Sequence, residues 1–471
     1  MTSAAPVVAD GRSTPELDAA SGLEKLAGYP YQIATWVDDT GYPVSVAVTA
    51  SVDVAGLAAA FDMPAGLSVP TDRVVSLTGS HIRPQPGYGY DERRHVTVWG
   101  RASVADARVV LAADRAWGWD EAEVPFFEYS ERSIGQSRKY FDALSAERGT
   151  PVKPRLSFGW LALRATRLPF LSATVVPVLL GIVIAASHGS FDLVAAILTV
   201  IGAACVHLGL NVANDVFDTV QGADDANVTP TQYSGGSRVI QYGLVSLRRM
   251  ATIATVFYLA ALAIGFVLLA FWGSPALLAI GIAGFIVSIG YTAPPLKFVY
   301  RGLGEIAVAV GFGPLMLLGA YVVQTGGTLS WEPFVASIPV ALFIALILYV
   351  NEIPDRRGDA HAGKRTLPVR FSREVVITGY NLAAAGAYVA LVSGVIAGVL
   401  PIPTLLMLLT VPLALQVSRG LAPNYDNPYG LMSVMGVNVQ LHLRAGVLLL
   451  AGYAIVLILG AIAPGVDLFL G

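Results

Sequence analysis

Apolar residues follow two different periods along this chain. Up to about residue 147 they alternate with polar ones in short runs, "YQIATWV", "PVSVAVTASV" and "RHVTVWGRASV", separated by "DDTGYP" and "RPQPGYGYDE". Alternation bounded by Gly, Pro and Asp predicts β-strands, and several short strands at this spacing predict a small barrel. A helix is expected at 132–147. The expected division is a tail at 1–27, a sheet domain at 28–147, a linker at 148–165 and a second domain at 166–471. In that second domain the alternation gives way to nine apolar stretches, near 168–187, 191–217, 250–272, 275–293, 303–325, 333–353, 375–399, 401–417 and 444–464. Each is roughly 17 to 26 residues long, enough to cross a hydrocarbon core of ~30 Å. The expected fold is an all-α polytopic membrane bundle of nine transmembrane helices, preceded by a soluble, mainly-β domain.

The loops between these stretches carry a second signal. Assigned alternately to two sides, one side receives Arg238, Arg248, Arg249, Lys297, Arg301, Arg356, Arg357, Lys364, Arg365, Arg370, Arg373, Arg419 and Arg444, and the other receives no Lys or Arg. The positive-inside rule then places the basic loops, the sheet domain and Lys153, Arg155, Arg164 and Arg167 in the cytoplasm, at a cell (inner or plasma) membrane. The C-terminus is expected outside.

Composition agrees with a membrane protein. Of 471 residues, 55% are hydrophobic and only 13% charged, against roughly 25% charged in an ordinary soluble protein. The net charge of -3 and the lack of a basic tract give no support for nucleic-acid binding. The single cysteine, Cys205, lies inside an apolar run, which excludes an intrachain disulfide and argues against a thiolate metal site. The first twenty residues show no basic segment followed by an apolar core, so no signal peptide is expected.

Polar residues interrupt the apolar pattern at two helix ends. In "NVANDVFD", Asn211, Asn214, Asp215 and Asp218 fall on one helical face. Polar groups at membrane depth are expensive, which makes such a face a functional candidate. In "NEIPDRRGD", Asn351, Asp355 and Asp359 recur every fourth residue, with a kink expected at Pro354. One such cluster alone would more often be a helix cap or a solvated loop start. Two, facing each other across a bundle, suit a hard divalent cation shared with phosphate, Mg²⁺ above all. Arg238, Lys297, Lys364 and Arg365 could then meet phosphate oxygens. Asn211 and His207 are expected to bond a neighbouring helix, and Asp215 and His361 to lie outside the ligand set. The alternative is a transporter or channel with ion-binding carboxylates, which would place them near the midplane on broken helices. Here they cluster at helix ends, beside Lys and Arg.

The order of "NDVFDTVQGADD", "GGSRVIQYG", "YTAPPLKFVYRGLGE" and "NEIPDRRGD…GKRTL" resembles the UbiA superfamily of intramembrane prenyltransferases over roughly residues 160–465. "RGLGE" and "GKRTL" are most similar to the menaquinone branch, the 1,4-dihydroxy-2-naphthoate polyprenyltransferases. The first motif departs from the ubiquinone-type pattern: Gly222 stands where an Asp is expected, followed by Asp224 and Asp225, of which Asp224 is the favoured ligand. "NEIPD" likewise replaces "NxxRD". The resemblance implies Mg²⁺-dependent transfer of a polyprenyl group from its diphosphate to an aromatic quinone precursor, with release of pyrophosphate. It implies metal ligands at Asn214, Asp218, Asp224, Asp355 and Asp359, and diphosphate contacts at Asn214, Asn351, Arg238, Lys297, Lys364 and Arg365. Catalytic roles fall to Asp218, Asp355, Lys364 and Tyr291, the last through the π face of its ring.

"ATWVDDTGYPVSVAV" resembles the opening hairpin of flavin-binding split barrels related to pyridoxamine phosphate oxidase. That resemblance implies a split-barrel-like fold and FMN, with Ser80, His81, Arg83, Arg93 and Arg94 near the flavin phosphate. A cofactor-free barrel that only positions the enzyme is the other reading.

Overall fold

The computed structural model describes residues 16–463 and 468–470, except 64, 70–72, 85–89, 106 and 155. The signal-peptide reading and the placement of Arg155 fall largely or wholly outside them. The chain divides into two compact units, Met1–Pro151 and Val152–Gly471.

The first unit is an eight-stranded antiparallel sheet, β1 Glu16–Leu17, β2 Gln32–Val37, β3 Pro43–Val48, β4 Ser51–Asp53, β5 Ala58–Asp62, β6 Val74–Pro84, β7 Tyr90–Ala105 and β8 Arg108–Asp120. Strand order is β3-β2-β6-β7-β8-β5-β4, with β1 on β8. Among the described residues no pairing joins β3 to β4, so the sheet is a path with two ends rather than a hydrogen-bonded ring. The β2–β3 turn forms because the Asp38 carboxylate accepts from the Thr40 and Tyr42 amides, both at 2.9 Å. At the bulge of β7, Gly100 is required: a Cβ there would lie 1.9 Å from the Ala112 carbonyl oxygen.

Residues 16–27, expected in a tail, instead belong to this unit. Asp18 caps α1 (Ala19–Ala27), and Leu23 and Leu26 are fully buried beside Trp36, Phe61, Leu77 and Leu111. The helix expected at 132–147 is α3 (Ile134–Arg148), and a short helix not expected, α2 (Phe126–Arg132), precedes it.

The second unit is helical: α4 Phe158–Thr166, α5 Ser172–Ser187, α6 Leu193–Val220, α7 Ala223–Ala226, α8 Leu247–Trp272, α9 Pro275–Gly290, α10 Gly304–Val310, α11 Met316–Gln324, α12 Trp331–His361, α13 Leu367–Arg370, α14 Arg373–Ile396, α15 Val411–Asn424 and α16 Leu431–Ile462. The segment expected as linker is helical from Phe158 onward. A π turn at Gly311–Leu315 joins α10 to α11 as one continuous apolar helix.

Counting the 3₁₀ stretch Ile402–Thr410 and α15 as one span, seven helices among the described residues are long and apolar enough to cross a membrane, and two shorter apolar ones, α5 and α9, accompany them. All nine expected stretches are thus helical, though α5 and α9, at 16 residues, fall short of a full crossing length. Two run further than their apolar cores. At 1.5 Å per residue, α6 with 28 residues and α12 with 31 each exceed 40 Å, so their polar last turns extend beyond a ~30 Å apolar slab. The helix α12 continues through Pro354, which keeps Asn351, Asp355 and Asp359 on one stripe.

Candidate active site

The polar ends of α6 and α12 meet in a chamber of about 160 Å³. From α6 come Asn211, Asn214 and Asp218; from α12 come Asn351, Glu352, Asp355 and Asp359; Asp224 of α7, Arg167 and Lys364 complete the charged wall. The chamber is lined by Asp224, not by Asp225.

Each carboxylate is held by a different element. Asp218 accepts from the Tyr300 hydroxyl at 2.8 Å and from Asn214 Nδ2 at 3.0 Å. Asp355 accepts from Asn227 Nδ2 at 2.8 Å and from the Gly235 amide at 2.9 Å, so the loop after the first motif grips the second. The Gly235 and Gly236 backbones lie at positive φ, 78° and 76°. Gly236 is also needed for space, because a Cβ there would meet Asp224 Oδ1 at 2.7 Å. Lys364 Nζ lies between the two motifs, 3.4 Å from Asp218 Oδ2 and 3.6 Å from Asp359 Oδ1. Burial pulls its pKa down, but Asp218 and Asp359 outweigh that and hold the ammonium well above the usual lysine range. Burial, then the charges of Asp215 and Asp218, push the Asp224 carboxyl well above the usual carboxylate range.

Three of the expected phosphate contacts lie elsewhere. Arg238 is buried and donates to the Asp224 carbonyl oxygen, bracing the chamber from behind. Lys297 stacks on the Tyr300 ring at 5.5 Å, and exposed Arg365 gives its amide to the Tyr300 carbonyl at 3.1 Å. None of the three lines the chamber. Asp215 is tied to Arg167 at 2.7 Å and to the Ser237 amide at 3.2 Å. Asn211 donates to the Thr166 carbonyl, and His207 Nδ1 bonds Thr174 Oγ1 at 2.7 Å.

Asn227, Gly235 and Tyr300, the residues that orient the carboxylates, were not singled out from sequence. Asn227 and Gly235 sit on an irregular loop and Tyr300 on a single 3₁₀ turn, Val299–Arg301, where no periodicity marks them. The motifs "GGSRVIQYG", which begins at Gly235, and "YTAPPLKFVYRGLGE", which contains Tyr300, carried the only hints.

The chamber continues into an apolar groove of about 500 Å³ between α6, α8, α9 and the α10–α11 helix. His207, Leu210, Tyr291, Val308 and Phe312 line both. Tyr291 thus stands at the junction of a charged compartment and an apolar one.

The UbiA prenyltransferase family profile matches residues 174–428, more than half of the chain. The chain belongs to the UbiA prenyltransferase family. It is therefore an enzyme of the prenyltransferase type, and its long apolar helices make it a multi-pass membrane protein. It is 27% identical over 301 residues to a 2-carboxy-1,4-naphthoquinone phytyltransferase of Synechocystis sp., covering 62% of this chain and 92% of that one. It is 26% identical over 310 residues to a 1,4-dihydroxy-2-naphthoate octaprenyltransferase of Bacillus subtilis, covering 65% and 96%. UbiA prenyltransferase domain-containing protein 1 of Homo sapiens is 30% identical over 255 residues, covering 53% and 71%. Among solved structures, a UbiA homolog from Archaeoglobus fulgidus bound to GPP and Mg²⁺ covers 62% of this chain and 99% of its own, at 16% identity and a TM-score of 0.43.

In this UbiA member the oxygen set fits a hard cation. Asp224 Oδ2, Asp359 Oδ2 and Asn351 Oδ1 are buried without a hydrogen-bond partner, a costly condition unless something else meets them. Among the described residues no three His, Cys, Asp or Glu side chains converge enough to enclose an ion unaided. Mg²⁺ suits that spacing, since it takes one or two carboxylates and completes its shell with water and phosphate.

In the sheet unit, His81 and Arg94 face each other across β6 and β7. Arg83 is already paired with Asp91 at 2.7 Å, and Arg93 with Glu121. Ser80 lies opposite His95.

Proposed function

We propose that this enzyme moves a polyprenyl group from its diphosphate to an aromatic quinone precursor, 1,4-dihydroxy-2-naphthoate or a close relative, releasing pyrophosphate. One observation carries the reading: a carboxylate- and lysine-lined chamber opens directly onto an apolar groove through a wall that contains Tyr291. A prenyl diphosphate has the same two-part character, and the relatives' names give the acceptor class.

The residues divide the work accordingly. Asn214, Asp218, Asp224, Asp355 and Asp359 would hold Mg²⁺, which when bound neutralises the diphosphate and the charge developing on the leaving group. The Lys364 ammonium is placed for the same leaving group, and Asn214 and Asn351 for its oxygens. Arg238 supports the loop of Asp224, while Lys297 and Arg365 supply positive charge at the approach. As the bond between the allylic carbon and oxygen breaks, the Tyr291 π face meets the allylic cation. The apolar groove keeps water from that cation, and the acceptor ring attacks it and loses a proton.

Nine membrane crossings, with the basic loops in the cytoplasm of a cell membrane and the C-terminus outside, follow from the loop charge asymmetry and from treating α5 and α9 as crossings. The sheet unit is proposed as a split-barrel-like flavin module. Arg94 would then face the flavin phosphate, because Arg83, Arg93 and His81 each already contact a carboxylate. Titration of the full-length protein with FMN, followed by absorbance, tests this part separately.

The deciding experiment measures pyrophosphate release and product mass with geranylgeranyl diphosphate and 1,4-dihydroxy-2-naphthoate, with and without Mg²⁺. Turnover that needs Mg²⁺ and is lost in Asp218→Ala and Asp355→Ala supports the reading. Unchanged rates in both variants would falsify it.

A further inference from the structure

The groove owes its width to glycine. Gly265 of α8, and Gly281 and Gly284 of α9, line it, and a Cβ built on any of the three meets no atom within 4 Å. Each lies inside a helix, where Gly costs ~1 kcal/mol relative to Ala, and close packing does not require it there.

The α8–α9 hairpin brings two of these positions together. Tyr258 and Ser288 hydroxyls bond at 2.9 Å across the pair, near the end shared with the chamber. Counting seven residues from Tyr258 reaches Gly265, and counting seven back from Ser288 reaches Gly281. In an antiparallel pair these stand level, about 10 Å from the hydrogen bond. The two helices are thus tied near the chamber and by their short loop, with a gap between facing glycines in the middle. At the far end, Leu268 and Val323 line the groove and pack with Ala195.

A second, independent feature of the groove points to a ligand. His207, 3% exposed, lies in the wall common to groove and chamber, and its Nε2 has no hydrogen-bond partner.

We propose that Gly265, Gly281 and Gly284 set which prenyl chain lengths the enzyme accepts. The inference rests on prenyl transfer with the tail in this groove. On α9 the distances from Tyr291 are seven residues to Gly284 and ten to Gly281, about 10 and 15 Å. One isoprene unit extends by about 5 Å through its four carbon–carbon bonds. Gly284 therefore lies level with the end of a second unit, and the Gly265–Gly281 gap with the end of a third.

Wild type, Gly281→Leu, Gly265→Leu and Gly284→Leu are compared on geranyl, farnesyl and geranylgeranyl diphosphates with one naphthoate acceptor. The expected result is a graded cutoff. In Gly281→Leu and Gly265→Leu, the geranylgeranyl rate falls about tenfold or more relative to each variant's own geranyl rate. In Gly284→Leu the farnesyl rate falls as well. Gly281→Ala shows the same trend to a smaller degree, and its single added methyl guards against misfolding as the cause. Equal losses for every length, or an unchanged length profile, overturn the proposal. Failure of the wild type on all three diphosphates would instead remove the prenyl-transfer reading itself.

Discussion

Asn227 Nδ2 donates to Asp355 Oδ1 at 2.8 Å, a bond between residues 128 positions apart. It joins the loop that follows the first acidic motif to the middle of the second. A buried carboxylate oriented by a neutral donor resembles the outer-shell bonds that fix metal ligands elsewhere.

Asn227→Ala removes that donor and leaves the Gly235 amide and the Ser234 side chain on Asp355. Half-saturation by Mg²⁺ in the transfer assay is expected to rise about 10- to 100-fold, with the melting temperature changed far less. An unchanged Mg²⁺ requirement would count against Asp355 as a ligand.

Lys364 is the cation between Asp218 and Asp359, so its loss acts on two carboxylates at once. Lys364→Met is expected to lower kcat/KM by about 100-fold or more, and Lys364→Arg by less. The folded-state pKa is raised, so the charge is present throughout the range below the ordinary 10.5 and is lost only above it. The ratio of wild-type to variant rates should therefore stay constant from pH 6 to 9. A ratio that collapses within that window would show that Lys364 titrates there.

At another position, His188 Nε2 bonds Glu332 at 2.5 Å. That bond raises the imidazole pKa, against the opposing pull of partial burial. A raised histidine stabilises fully below its ordinary value of 6.5, and the contribution fades as pH rises through the folded value. The melting temperature in detergent should fall between pH 6 and 8.5 in the wild type and stay flatter in His188→Gln. Parallel curves would refute the linkage.

Packing of α5 on α11 depends on Gly181, where a Cβ would lie 2.3 Å from the Leu317 carbonyl oxygen. Because the obstacle is backbone, it cannot rotate away. Gly181→Val is expected to destabilise by about 1–3 kcal/mol, read as a lower unfolding temperature, whereas Gly284→Ala at an open position should leave stability unchanged or improved.

Helices were legible wherever composition alone decided them, as in α8 and α14. The start of α16 was not: "LMSVMGVNVQLHLR" looks too polar for a membrane segment, so the helix was expected only from 444. Asn438 within it is paired inside the bundle, with the Leu346 carbonyl at 2.8 Å and the Tyr380 hydroxyl at 3.1 Å, while Ser433, Gln440 and Arg444 lie on the exposed side. At the candidate site, the acidic stripes were legible because helical spacing exposes them. Arg238 was expected to meet phosphate oxygens because it is a basic residue near an acidic cluster, yet its guanidinium meets a backbone carbonyl. Which side chain faces a chamber and which braces it depends on loop conformation, and local sequence pattern does not specify that.

The contact between Lys364 and Asp218 spans 146 positions. At a ribosomal rate of 5–20 residues per second, that separation is on the order of 10 s. For that interval the nascent protein holds its first acidic cluster in or beside the bilayer with neither the lysine nor the second motif yet made. The early helices must therefore tolerate the cluster on local bonds alone, Asn214 to Asp218 and Arg167 to Asp215, and the charged chamber comes into being only when α12 arrives.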